Sequence, residues 1–377
     1  MKRKWIRPLR ASEIKKKKLM EQYEKKQLEP YQGEKLETSL ELKLAKLKEI
    51  FADYADLVIK PFFIGGYKHL SAALILIDGL ANITIVDDFI LRSLTTPIND
   101  RLHDVLLSDP EQVKEWVIQV GLSTAEVEET DQWVKVVEAI LVGDGVLLID
   151  QVRQALIIDT KGWEKRGVSE PNNEQAIRGA RDGFTETIRI NTALIRRRIR
   201  DPQLKLLSMK VGERTKTDIA IMYIQGLAEQ SVVNEVKKRI ENISFDGILE
   251  SGYIEQLIED HPWSPFPQIQ YTERPDKTVS HLLEGKVVIL VDGSPFSLIV
   301  PAIFIQFYHS PEDYYERFLI SSLVRLIRMI SFFFALSLPS FYIAFASFHP
   351  EMIPSKLFIA MSAGRATVPF PAIVEAF

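Results

Sequence analysis

The chain contains no cysteine among its 377 residues. That excludes a disulfide framework, thiolate metal sites and cysteine nucleophiles, and it fits a reducing compartment. It also lacks a surplus of either charge: 47 Lys and Arg against 51 Asp and Glu give a formal net charge of −4. A near-neutral chain is not a general nucleic-acid binder. Short catalytic signatures are missing too. There is no G-x-S-x-G, no Walker A loop and no G-x-G-x-x-G, and the stretch beginning at Gly212 has the wrong glycine spacing for a phosphate loop. The histidines, at 69, 103, 261, 281, 309 and 349, form no close ligand pair, so no metal, cofactor or catalytic residue is expected. Finally, Met329–Phe348 has no charge over twenty residues. About 20 apolar residues are what a helix needs to cross the hydrocarbon of a bilayer.

The charge that is present is unevenly placed. Residues 1–30 hold eleven Lys or Arg against four Glu, so the rest of the chain is acidic. The basic start has no apolar stretch behind it and is not a secretory signal. Residues 1–44 read as a basic arm, either a solvated tail or a contact for anionic lipid.

Folded sequence follows. Leu42–Tyr54, Ile83–Ser93, Val113–Val120 and Asp131–Leu141 have apolar residues at helical spacing. Leu57–Ile64, Ala72–Ile77, Val146–Ile149 and Ala155–Asp159 read as strands. The mixture predicts an α/β layered fold. The pattern then repeats. Ile75–Leu94 (ILIDGLANITIVDDFILRSL) is echoed by Ile221–Ile240 (IMYIQGLAEQSVVNEVKKRI), and Gly143–Ile158 by Glu284–Val300. The echoes keep their order at nearly one offset. Two tandem, similar α/β subdomains are expected, 45–165 and 166–316, with a linker at 163–184. A membrane segment, 317–377, would follow, with its helix at about 329–348 and an interfacial or second helix after 352. Because apolar sequence runs to Phe377, a longer natural chain is expected. Asp78, Asp150 and Asp292 each close an apolar strand, where aspartate usually serves the local turn.

Two stretches stand out as surfaces for other groups. On the helix expected within Gly183–Asp201, with Thr185 as its cap, sit Arg189, Arg196, Arg197, Arg198 and Arg200. In an acidic body such a set fits bidentate pairing with carboxylates, between subdomains or subunits, better than nucleic acid. Pro262–Asp276, with Glu273 and Arg274, is dense in proline, which opposes regular structure. A rigid loop of this kind is a candidate interface. Arg317, Arg325 and Arg328 precede the apolar run and place the N-terminal side in the cytosol by the positive-inside preference.

Longer segments resemble the A-subunit family of spore germinant receptors, the GerA-type proteins of endospore-forming bacteria. They are Ile77–Leu80, Glu170–Pro202, Gly212–Ile224, Ser264–Asp276, Glu284–Pro301, Leu338–Pro354 and Val368–Ala376. Within these runs Gly79, Gly183, Phe184, Asn191, Pro265, Pro267, Asp292 and Pro339 are the family-motif positions expected to be structural. The resemblance implies a cytosolic part of two α/β subdomains followed by membrane helices in the inner spore membrane. It implies self-association and assembly with a transporter-like B subunit and a lipoprotein C subunit, in a complex coupling nutrient sensing to ion release, with no enzyme activity. It equally fits an accessory membrane protein that amplifies germination. A membrane-tethered module holding a small molecule between the subdomains is the remaining reading of the residues.

Overall fold

The computed structural model describes residues 31–96, 109–122, 127–162, 170–171, 174, 179–261, 263–264, 266–308, 310, 313, 317–354, 356–357, 359–360 and 363. Most of the basic arm, much of the 163–184 linker, Pro265 and most of the chain after Pro354 lie outside them. The described residues fall into two compact units. One lies within Met1–Gln175 and Arg181–Ala302, the other within Ala176–Ala180 and Ile303–Phe377.

The first unit is built twice from one plan. Its first half runs α1 (Leu40–Ile50), β1 (Leu57–Phe63), β2 (Ser71–Ile77), α2 (a π-type stretch, Ile85–Leu91, continuing as Arg92–Thr95), α3 (Pro110–Trp116), β3 (Val127–Thr130), α4 (Trp133–Val142), β4 (Gly145–Ile149) and β5 (Ala155–Ile158). The second half repeats the succession as α5 (Ile188–Arg196), β6 (Leu204–Val211), β7 (Thr217–Ile224), α6 (Gln230–Glu241), α7 (Ser251–Ile258), β8 (Gln270–Thr272), α8 (Pro275–Leu282), β9 (Val287–Val291) and β10 (Ser297–Val300). Each half makes a five-stranded sheet, in the orders β1-β2-β4-β5-β3 and β6-β7-β9-β10-β8. Every pairing is antiparallel. The strand orders correspond position for position, and Gly79 and Gly226 follow the equivalent strands β2 and β7 with φ of 84° and 81°.

Helices cover both faces of each sheet, which is why the central strands are unbroken apolar runs rather than alternating ones. Val146, Leu148, Ile75 and Ile77 pack with α1 and with Trp133, Val136 and Ile140 of α4. From the opposite face Leu74, Leu147 and Leu156 meet Ile90 and Leu94 of α2 and Val113 of α3. The second sheet repeats this. Ile219, Ile221, Ile289 and Val291 pack on α6 and α7, while Met222, Val288 and Leu290 pack on α5 and α8. The edge strand β1 carries Lys60 and Pro61, residues suited to an unpaired edge.

Two expectations are corrected in detail. The proline-dense stretch is not irregular throughout: it contains β8, and Pro275 begins α8 at the first helical turn, where its missing N–H costs nothing. The segment read as helical at Ile83–Ser93 is helical, with a π-type stretch over Ile85–Leu91. The apolar helix of the second unit, α9, spans Phe318–Ile343, so it begins eleven residues before the uncharged run, with Arg325 and Arg328 inside it. Pro339 lies within α9, and a π-type turn continues it over Ala344–Phe348.

Candidate functional site at the seam between the two sheets

Helix α5 belongs to both cores. Ala193 packs into the cluster of the first sheet, while Leu194 and Ile195 pack into that of the second. Close approach to the first half depends on Gly79. A Cβ there would lie 3.1 Å from the carbonyl oxygen of Arg189 and 3.3 Å from the Cβ of Ala193, on a backbone with positive φ.

Arg196, at the end of α5, crosses the seam. Its guanidinium grips Asp56 in the fork geometry, Nε to Oδ2 at 2.5 Å and Nη2 to Oδ1 at 2.7 Å, while Nη1 donates to the carbonyl of Leu204 at 3.0 Å. Arg196 retains 2 % of its exposure and the Asp56 carboxylate 10 %. The guanidinium lies 3.9 Å from the ring centre of Tyr54, and the Tyr54 hydroxyl donates to the carbonyl of Asp201 at 2.8 Å. Burial holds that phenol well above its ordinary pKa, against the pull of Arg196. Backbone bonds complete the stitch. Ala55 N–H donates to Leu206 O at 3.1 Å, and Leu206 N–H to Asp53 O at 2.9 Å, joining the lead-in to β1 to the edge strand β6.

The other arginines of this stretch are placed differently. Arg189 pairs with Asp78 across the seam at a half-exposed position, and Arg198 pairs with Asp182 and donates to Leu194 O at 2.8 Å. Arg197 and Arg200 lie at the surface. Beside α5 a cleft of about 560 Å³ is lined by Gly79, Asn82 and Thr84 from one half and Thr187, Arg189 and Arg197 from the other.

Two aspartates act at long range. The side chain of Asp150, just after β4, accepts the N–H of Leu40 at 2.9 Å, and Asp292, just after β9, accepts the N–H of Ile188 at 3.1 Å. Each caps the helix that opens its own half, placing negative charge at the positive helix end. Neither Ser39 nor Thr187 caps with its own side chain. Thr185, expected as a cap, is instead clasped by Asn191, whose Oδ1 accepts the Thr185 N–H at 2.8 Å while Nδ2 donates to its carbonyl at 2.6 Å. One turn into α1, the buried Lys43 donates to Ile149 O at 3.0 Å and Val152 O at 2.5 Å. Burial lowers its pKa to about 8, opposed by Asp150 and Glu37.

Glu273 and Arg274 are buried. Arg274 binds Asp276 through two nitrogens, at 2.7 and 3.1 Å, and the carbonyl of Glu174 at 3.0 Å. The Glu174 carboxylate also takes Lys277 at 2.7 Å and the Glu273 N–H at 3.2 Å, and Phe184, in the core, donates its N–H to Glu273 O at 2.8 Å. This motif therefore fastens the connector between the halves. Gly183 is buried, Pro267 exposed. Among the described residues no group of three or more His, Cys, Asp or Glu could hold a metal ion.

Residues 45–377 match the family described as the Bacillus/Clostridium GerA spore germination protein. The chain belongs to the GerA family. It is 41% identical over 341 residues to spore germination protein KA of Bacillus subtilis, covering 90% of this chain and 61% of that protein. The uncharacterized membrane protein YfkQ of the same organism is 39% identical over 341 residues, 90% of this chain and 64% of its own. The chain thus spans a little over three fifths of the length of these curated relatives. The crystal structure of the N-terminal domain of the A subunit of the Bacillus megaterium spore germinant receptor GerK3 matches with a TM-score of 0.55 at 38% identity, over 73% of this chain and 99% of that one. The GerA-family chain is therefore similar to a germinant-receptor A subunit, and its α/β fold is that of the GerK3 domain.

In the second unit, Asp313 gathers two arginines of α9, Arg325 Nε and Arg328 Nη1 both lying 3.1 Å from its Oδ2. Burial would raise the Asp313 carboxyl, but the hydrogen bonds from Arg328 and Arg325 hold it below its ordinary value. Helix α9 is 26 residues long with a mean hydropathy of 1.9, and only 6% of its most apolar stretch is buried in protein. An apolar helix so exposed suggests membrane association.

Proposed function

We propose that the chain is the membrane-anchored A-type subunit of a spore germinant receptor in the inner spore membrane. It acts without catalysis, coupling nutrient sensing to ion release through assembly with a transporter-like B subunit, a lipoprotein C subunit and further copies of itself. The observation that carries this reading is the GerA match over 45–377 together with 38% identity to the GerK3 A-subunit domain. The arginines at the start of α9 support a cytosolic N-terminal part. Because α5 is packed into both cores, the two halves are joined through buried side chains, which suits a coupling subunit better than a container for a small molecule. Deletion of the gene in the spore former that carries it should abolish germination toward at least one nutrient, and the tagged protein should capture B and C subunits from spore membranes. Capture of neither subunit, with nutrient responses intact, overturns the reading.

A second reading has one observation in its favour. The similarity to YfkQ, whose name says only that it is a membrane protein, nearly equals that to protein KA. In an accessory role deletion would slow germination toward every nutrient rather than remove one response.

A further inference from the structure

The proline-dense loop between α7 and β8 carries two exposed aromatic side chains. Trp263 is 99 % exposed and Phe266 64 %. The loop is nonetheless held in place. Ser264 N–H donates to His261 O at 2.9 Å, the Ser264 hydroxyl accepts the Phe266 N–H at 3.2 Å, and Gln268 Oε1 accepts the Asp260 N–H at 2.8 Å. Gln268 also ties the loop to the way out of the unit, since its carbonyl accepts the N–H of Ala302, two residues after β10. The braced loop thus presents an exposed indole and an exposed phenyl ring three residues apart.

We infer that this loop is a membrane-surface anchor whose occupant is the headgroup region of the bilayer that α9 enters. The inference rests on reading α9 as a membrane span. Three observations favour lipid over protein. The loop is bonded to the exit segment, sixteen residues of chain before α9 begins at Phe318. Ala302, to which the loop is bonded, is followed directly by exposed apolar side chains at Ile303, Phe304, Ile305 and Phe307. Tryptophan is the side chain most at home at a membrane interface.

The absence of cysteine allows a clean test. The full chain is reconstituted in lipid nanodiscs as two single variants, Trp263→Cys and Phe333→Cys, each carrying an environment-sensitive fluorophore. Lipids bearing a nitroxide at the headgroup or deep in the acyl chain serve as quenchers. Label 263 should lose about twofold in emission to the headgroup nitroxide and little to the deep one, as for a group seated at the headgroup–acyl boundary. Label 333, in mid-α9, should show the reverse. Quenching at 333 with none at 263 overturns the anchor while leaving the span intact. An unquenched but blue-shifted 263 label means that a second copy covers the loop, which also overturns it. If neither label is quenched, the span reading fails and takes the anchor with it.

Discussion

Replacing Arg196 by alanine should loosen the seam more than any other single change. Its guanidinium makes two bonds to Asp56 and one to Leu204 O, and it lies over the Tyr54 ring. Deletion leaves the Asp56 carboxylate 10 % exposed and without its cation. Removing one partner of a buried, hydrogen-bonded pair costs about 3–5 kcal/mol, because the remaining charge stays desolvated. For a unit of this size that corresponds to a fall of roughly 10 °C in unfolding temperature. The assay is thermal and denaturant unfolding of the fragment equivalent to the crystallised GerK3 domain, applied to Arg196→Ala, Asp56→Ala and the double variant. The double variant should cost far less than the two single costs added, since no orphan charge remains. A single-variant cost below about 1 kcal/mol, or simple additivity, would refute the reasoning.

Further outcomes follow from neighbouring features. Asp150→Ala and Asp292→Ala should each cost about 1–2 kcal/mol in the same unfolding assay, because each removes an acidic cap; a near-zero effect for one but not the other would break the equivalence of the halves. Lys43 titrates near 8 in the folded chain and near its ordinary 10.5 when unfolded. Between those values the unfolded chain holds more protons, so stability rises with pH there, and Lys43→Met should flatten that rise in unfolding curves measured from pH 7 to 10. A reagent that cannot cross membranes should label Ser310→Cys only after the inner membrane is permeabilised; labelling in intact protoplasts would reverse the orientation.

Much of this architecture was legible because the core strands announce themselves. VLLI in β4 and VVILV in β9 are uninterrupted because helices cover both faces, and the glycine after β2 and after β7 recurs because each turn needs positive φ. Two of the edge strands were harder. β3 reads VEET and β8 only QYT, half-exposed stretches without a long apolar run, and β8 hides among prolines. The seam was half legible. The arginine-rich helix stands out, but Asp56 lies 140 residues from Arg196 and nothing in its surroundings marks it. The same holds for Asp150 and Asp292. A carboxylate at the end of a strand is locally a turn residue, and only the folded topology brings the helix start to it.

Those two caps also set an order on synthesis. In each half the helix made first is completed by an aspartate made nearly last. The first half can close once β5 ends at Ile158, long before α9 leaves the ribosome. The second half cannot close until β10 ends at Val300, eighteen residues before α9 begins. Its final strand and the apolar helix therefore emerge almost together. Helix α5 waits on that moment for its cap at Asp292, and α5 carries Arg196. A nascent chain stalled within β9 would hold a first half with all its strands made beside a second half that could not cap its leading helix with Asp292.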